Sequence, residues 1–500
     1  MSELKRKTIS GVAFLSLGKG AGKLISFVNT LILARILAPE DYGLLAMAMV
    51  FIGILGFFSD MGLGMAIIQK SDVTKKQTTA VFYLAIVNSV LLATLLFLMS
   101  GYIASWMESE ALAPILATMA WLMITNAMFV VPESLLAKEM QFKLISFVEF
   151  ITIILQCAIT LMLAIYDYQV WALVIGTMAA SVIKLLLFFM LSKWRPCGFE
   201  GVSAAFSLLR YGVSVTYSRV TWFVYTNISI LILGKMNGEK QTGIFSMSQS
   251  LANLPTEHCT NLVVQVASPL FSKVQGNLTS LTNALCRLTA GIAFLTFPML
   301  AGVIVTAPEL VIVLLGDKWA SAVIPLQFLC VMGFCKAIDP LITQALISSG
   351  RASVAAHYTS ICAVVIPITI FIGSYFYQIN GAAFALSATY LLLFSYLLFC
   401  AKRHLGLSIS QYLFLLKTPV SGAIVMSIVL ILTKTMVLSL WPLLEITSLI
   451  IQVILGALSY FVWIVFFRRK DLYYLRDLLS SAGLANRLLN RWPFVSKNSP

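Results

Sequence analysis

Long apolar runs broken by short polar turns make up most of this chain. They lie at approximately 10–33, 43–68, 78–104, 113–136, 144–166, 170–192, 209–233, 243–268, 286–307, 322–348, 354–377, 381–400, 417–438 and 443–467. Each is near the ~20 residues that an α-helix needs to cross the hydrocarbon of a bilayer. The pattern predicts an all-α, polytopic membrane protein with about fourteen transmembrane helices. The largest connection between runs is about a dozen residues, which leaves no room for a folded catalytic domain outside the membrane. That argues against a membrane glycosyltransferase, a ligase or an ATP-driven pump, and the expectation is a protein that is not an enzyme.

The chain also repeats itself. Leu31 to Met47, LILARILAPEDYGLLAM, returns 200 residues later as LILGKMNGEKQTGIFSM, Leu231 to Met247. Leu31, Ile32, Leu33, Gly43 and Met47 recur as Leu231, Ile232, Leu233, Gly243 and Met247, and Arg35 is answered by Lys235. Apolar bias alone gives some matches, but a polar turn and a glycine at the same place mark an internal duplication. In each copy an apolar helix ends at a basic residue, the chain turns, and a second helix is expected to start at the glycine. Two pseudo-symmetric six-helix lobes follow, at 1–200 (spans 1–6) and 201–400 (spans 7–12). Residues 401–500 add spans 13 and 14 and a basic tail.

Composition agrees with the pattern. Hydrophobic residues are 60% of the chain and charged residues 11%, against roughly 25% charged in a soluble domain. The net charge of +14 is spread over short loops and a tail, so no nucleic-acid partner is expected. Its distribution instead gives the orientation. With Lys5, Arg6 and Lys7 in the cytoplasm, 24 of the 34 basic residues fall on the inner side, against five (Arg35, Lys235, Lys240, Lys318 and Lys434) outside. The asymmetry places both termini inside. Eight cysteines without a CxxC or Cys/His pattern predict neither disulfides nor a metal site.

Three local features need separate readings. GKGAGK, Gly18 to Lys23, resembles a phosphate-binding loop but has Leu24 where Ser or Thr is required and no preceding strand. Gly11, Gly18, Gly22 and Ser26 read better as a small-residue stripe for close helix packing. Lys19 and Lys23 interrupt the first run, and no small-residue cleavage site follows, so it is read as a retained span rather than a signal peptide. Arg468 to Trp492 reads either as an amphipathic helix on the inner membrane surface or as a frayed basic tail.

Charge at membrane depth carries the functional information, because an ionisable group there costs at least ~2.5 kcal/mol unless it is paired or faces water. Counting the helical rise from the inner end of each span places Lys19 ~15 Å deep and Asp60, on the returning helix, ~12 Å deep. Arg219 lies ~16 Å deep, with Glu257 and His258 at about the same level on the next helix. Lys19 and Arg219 are separated by the repeat offset itself. Two such cations make a positively charged cavity suited to an anionic substrate. Lys336 and Asp339, three residues apart in the tenth run, either serve that cavity or neutralise one another. For every one of these residues the alternative is a structural pair that sets helix register. Glu133 and Glu149 fall near the inner membrane boundary, and Lys184 can snorkel inward.

Several segments carry a resemblance to a known family. Ala34-Arg35 through Pro39-Glu40-Asp41-Tyr42-Gly43, Ser59-Asp60-Met61-Gly62 and Ile67-Ile68-Gln69-Lys70 resemble the signature of Wzx-type polysaccharide flippases in the multidrug/oligosaccharidyl-lipid/polysaccharide exporter superfamily. Tyr225-Thr226-Asn227, Pro269 through Gln275, Leu315 through Trp319 and Pro325-Leu326-Gln327 resemble the branch containing the colanic acid exporter. The resemblance spans roughly residues 8 to 400. It implies a bacterial inner-membrane protein, fourteen spans in two six-helix lobes, and a central cavity. It also implies translocation of undecaprenyl-pyrophosphate-linked oligosaccharide repeat units for surface polysaccharide, whether lipopolysaccharide or exopolysaccharide. A periplasmic-side polymerase and export machinery are the implied partners, besides membrane lipid.

The residues place Lys19 and Arg219 at the pyrophosphate, with Asn227, Tyr217 and Gln249 at the sugar. No cofactor is expected. A coupling H⁺ or Na⁺ is compatible with Asp60, Glu257 and His258. The rival readings are a proton- or Na⁺-coupled multidrug antiporter, whose cavity should be dominated by acids, a lipid II flippase, a membrane polysaccharide polymerase and a structural assembly protein.

Overall fold

A computed structural model describes residues 3–70, 72–198, 206–438 and 445–467, with the backbone alone at 3–19, 60, 206–218, 258, 261, 262, 265, 266 and 467. The segment Arg468 to Trp492 and the side chains of Lys19, Asp60, Tyr217 and His258 therefore lie outside the described residues. The described chain is helical with no strand. Ten of its helical segments are long and apolar enough to cross a membrane.

The helices start and stop where the polar residues allow. Pro39 opens α2 (Pro39–Asp60), where its missing N–H costs nothing, and the Asp41 carboxylate accepts the Ala38 N–H at 2.9 Å. Thr74 and Gln77 cap α4 (Lys75–Met107) reciprocally, side chain to backbone, at 3.2 Å in both directions. Asn277 and Ser408 cap α10 (Leu278–Leu315) and α13 (Ile409–Leu432) through their side chains. The run read as 43–68 is two helices. Met61 and Gly62 both have positive φ, 48° and 65°, and separate α2 from the short α3 (Leu63–Gln69). The run at 113–136 likewise divides into α5 (Leu112–Met119) and α6 (Trp121–Lys138).

Contacts divide the chain into two compact units, Met1–Ile244 and Phe245–Pro500. In the first, α2 supplies the centre. Its Leu44, Met47, Ala48 and Val50 pack with Leu96 and Met107 of α4, Leu112, Ile115 and Met119 of α5, and Val174 of α8 (Val170–Leu191). The small-residue stripe of α1 (Glu3–Ile36) lies along α7 (Phe142–Ile165). A Cβ at Gly22 would meet Ile153, Ser26 hydrogen-bonds Cys157, and Asn29 Nδ2 donates to Thr160 Oγ1 at 3.2 Å. Gly22, Ser26 and Asn29, spaced three and four apart on one face of α1, thus meet Ile153, Cys157 and Thr160 on α7, the geometry of close membrane packing.

The helix breaks of the two similar stretches both lie in the first unit. α1 ends at Ile36 and α2 follows, whereas the second copy lies within α9 (Phe206–Val274), which breaks at Gly238 with φ 79°. The helices after the turns begin at Pro39 and just past Gly238, not at Gly43 and Gly243 as the sequence suggested. Those two glycines serve packing instead. A Cβ on Gly43 would overlap the Glu239 carbonyl oxygen, and one on Gly243 would overlap the Pro39 carbonyl oxygen. The relation is reciprocal at the repeat offset.

In the second unit α10 is the hub and packs on α11 (Val323–Ser348), α13 and α14 (Glu445–Phe467). Trp319 is fully buried in the turn before α11, and the Tyr412 hydroxyl reaches Thr289 at 3.3 Å in the interior. α12 (Ala352–Leu405) departs from helical geometry at Tyr377 and Gln378, so it is two arms joined by a turn. Outer faces in both units carry large exposed apolar side chains such as Leu98, Leu186, Leu392 and Phe466. So much apolar surface is stable only against lipid.

Candidate functional site

The left-handed pair Met61–Gly62 separates α3 from α2, and α3 supplies part of the wall of a cavity of about 390 Å³. Gly64 and Met65 of α3, Glu133 and Ser134 of α6, Glu149 of α7 and Arg219 of α9 are among its walls. Lys138 Nζ donates to the Lys70 carbonyl at 2.7 Å and ties the end of α3 to α6. Glu133 is 3.5 Å from Lys184 Nζ of α8, which also sits over the Phe129 ring at 4.4 Å. The pair and the ring hold Glu133 at the cavity edge with both charges partly shielded.

This volume falls within the ~300–1,000 Å³ of small-molecule clefts. The Arg219 guanidinium presents five donors in a planar fork, which matches the oxygens of a phosphate. Glu133 and Glu149 accept hydrogen bonds only, the complement of sugar hydroxyls. The acids that share a cavity with Arg219 are therefore Glu133 and Glu149, which the sequence placed only near the membrane boundary. Asn227, one of the predicted site residues, donates from Nδ2 to the Phe223 carbonyl at 2.9 Å in its own helix and is not among the cavity walls.

A second polar cluster lies in the other unit. Lys336 Nζ of α11 donates to Asn253 Oδ1 of α9 at 3.3 Å and stands 5.9 Å from the centre of the Tyr390 ring. One turn along α11, Asp339 accepts from the Tyr358 hydroxyl at 2.7 Å and from Thr343 at 3.1 Å. Lys336 is within electrostatic reach of both Asp339 and Glu257, and Glu257 itself is exposed on α9. The structure thus brings Lys336 and Asp339 into one network through neutral partners that sequence reasoning did not single out. Among the described residues no three His, Cys, Asp or Glu side chains gather to hold a metal ion, and all eight cysteines are free thiols.

Residues 32–324 match the polysaccharide biosynthesis protein family. The chain belongs to that family. The lipopolysaccharide biosynthesis protein WzxC of Escherichia coli (strain K12) is 25% identical over 362 residues, 71% of this chain and 73% of WzxC. The succinoglycan biosynthesis transport protein ExoT of Rhizobium meliloti (strain 1021) is 24% identical over 298 residues, 60% of each chain. Among solved structures, the lipid II flippase MurJ in an inward closed conformation aligns with a TM-score of 0.71 over 93% of this chain and 99% of its own, at 14% identity. That likeness shows that this chain shares the fold of that structure.

This member of the polysaccharide biosynthesis family is thus a multi-pass membrane protein. The family match contains every wall residue named for the Arg219 cavity, and it ends before Lys336, Asp339 and Tyr358.

Proposed function

We propose that the protein is a flippase that moves undecaprenyl-pyrophosphate-linked oligosaccharide repeat units across the bacterial inner membrane by alternating access through a cavity in which Arg219 stands beside Glu133 and Glu149, not the purely cationic cavity the sequence suggested. Both termini lie in the cytoplasm, as the basic loops require. The observation that carries this reading is a cavity that presents Arg219 beside two carboxylates, in a chain of the polysaccharide biosynthesis family. A pyrophosphate with its glycan cannot enter hydrocarbon unsheltered, whereas the polyprenyl tail can remain in lipid. Arg219 and Lys19 neutralise the pyrophosphate, and Glu133 and Glu149 receive sugar hydroxyls. Asp60 and Glu257 are the candidates for H⁺ or Na⁺ coupling. No covalent chemistry is assigned to the protein. A polymerase and export machinery on the outer side take up the flipped unit.

Mass spectrometry of lipids from cells lacking the gene tests the reading. One complete undecaprenyl-pyrophosphate repeat unit accumulates on the cytoplasmic side, and the matching surface polysaccharide disappears. Accumulation of single units on the outer side indicates a polymerase. Unchanged lipids with hypersensitivity to cationic drugs indicate a multidrug antiporter.

A further inference from the structure

The two arms of α12 meet a second time at their far ends, where Arg351 donates to the His404 carbonyl and fixes the start of one arm to the end of the other. A cavity of about 220 Å³ opens there, lined by Ser353 and His357 on the first arm and Tyr396, Arg403 and His404 on the second. Arg403 and His357 are exposed, and among the described residues neither side chain makes a hydrogen bond or ion pair. Nothing nearby in sequence neutralises them. Between Asp339 and Glu445 the chain contains no Asp or Glu, yet it carries Arg351, Lys402, Arg403, Lys417 and Lys434 together with His357 and His404.

Above this basic end, both arms turn apolar residues outward. Val364, Ile368 and Phe371 are exposed on the first arm, and Phe399, Leu392 and Phe384 on the second. A ligand here meets cations at one end and hydrocarbon-facing rails along its length. We propose that this end of α12 binds the headgroup of an anionic glycerophospholipid, with its acyl chains along the two rails. A basic recess between helices at the inner membrane surface is suited to such headgroups. The recess shares no wall residue with the Arg219 cavity, so it is separate from the transport cavity. Its assignment to the cytoplasmic leaflet rests on the orientation given under the proposed function. The binding itself does not.

The test is native mass spectrometry of the full-length protein in detergent, titrated with phosphatidylglycerol or phosphatidylcholine. Phosphatidylglycerol is expected to be retained about fivefold more tightly for each basic group engaged. Arg403→Gln with His357→Gln lowers that retention to the phosphatidylcholine level, while Lys417→Gln, outside the recess, leaves it unchanged. The unfolding temperature of the double variant with phosphatidylcholine serves as the check that it is folded. Wild-type retention by the double variant overturns the proposal, as does an equal loss in Lys417→Gln, which marks diffuse charge rather than a site. Displacement of phosphatidylglycerol by millimolar inorganic phosphate, or by undecaprenyl phosphate at matched concentration, overturns the assignment to a glycerophospholipid.

Discussion

The Arg219 cavity and the Lys336–Asp339 network both put charge into an apolar helical setting, and they handle it in opposite ways. Around Arg219 the charged groups line a space of about 390 Å³. Around Asp339 the charged groups are taken up by partners, because Tyr358 and Thr343 donate to the carboxylate and Lys336 donates to Asn253. Charges that line a void leave room beside them for a ligand. Charges saturated by hydroxyls and an amide are committed to holding helices α9, α11 and α12 in register, since each lost partner leaves a buried polar group unsatisfied.

The largest effect is expected from Asp339→Ala, which strands the Tyr358 hydroxyl and removes an acid within electrostatic reach of Lys336, while Thr343 keeps the carbonyl of residue 339. It should destabilise the protein by about 3 kcal/mol, read as a lowered unfolding temperature in detergent, while Asp339→Asn retains an acceptor and loses less. An Asp339→Ala protein that melts with the wild type would place Asp339 in the open class of charge.

Next is Lys19→Ala with Arg219→Ala, expected to reduce polysaccharide export at least tenfold at equal protein level, about 1.4 kcal/mol, with little change in unfolding temperature. Export unchanged in that variant removes the proposed pyrophosphate site. Lys184→Met should cost at most ~1 kcal/mol, because both members of its pair with Glu133 are partly exposed.

The smallest effect belongs to the surface pair of Glu108 and Lys235, 2.6 Å apart. The hydrogen bond and charge of Lys235 hold the Glu108 carboxyl below its usual range. A depressed folded value adds stability above the unfolded pKa near 4.5, and that contribution fades as pH falls through the folded value. Glu108→Gln should therefore slightly flatten the acid side of the unfolding-temperature profile and leave neutral pH almost untouched. Identical profiles would show that the pair contributes nothing measurable.

The helical membrane fold was legible because bilayer crossing demands long apolar runs, and those runs are plain in the sequence. The breaks inside runs were not. The break at Met61–Gly62 that makes α3, and with it a wall of the cavity, occupies two residues in an apolar stretch and barely disturbs hydropathy. Lys336 and Asp339 stood out as charges, but Tyr358 and Asn253 did not, since neutral polar residues are common in helices and proximity across the chain leaves no local mark. Glu133 and Glu149 offered a usable signal. They lie at similar distances on either side of the turn at 139–141 and so return to a similar depth on neighbouring helices.

Gly43 and Gly243 face one another so closely that each is blocked by a carbonyl from the other's helix start. Neither codon can drift to a larger residue by itself, because relief requires the opposite backbone to move. Each helix start therefore sets what the other can carry at this position, so a change at one has to be met by a change at the other.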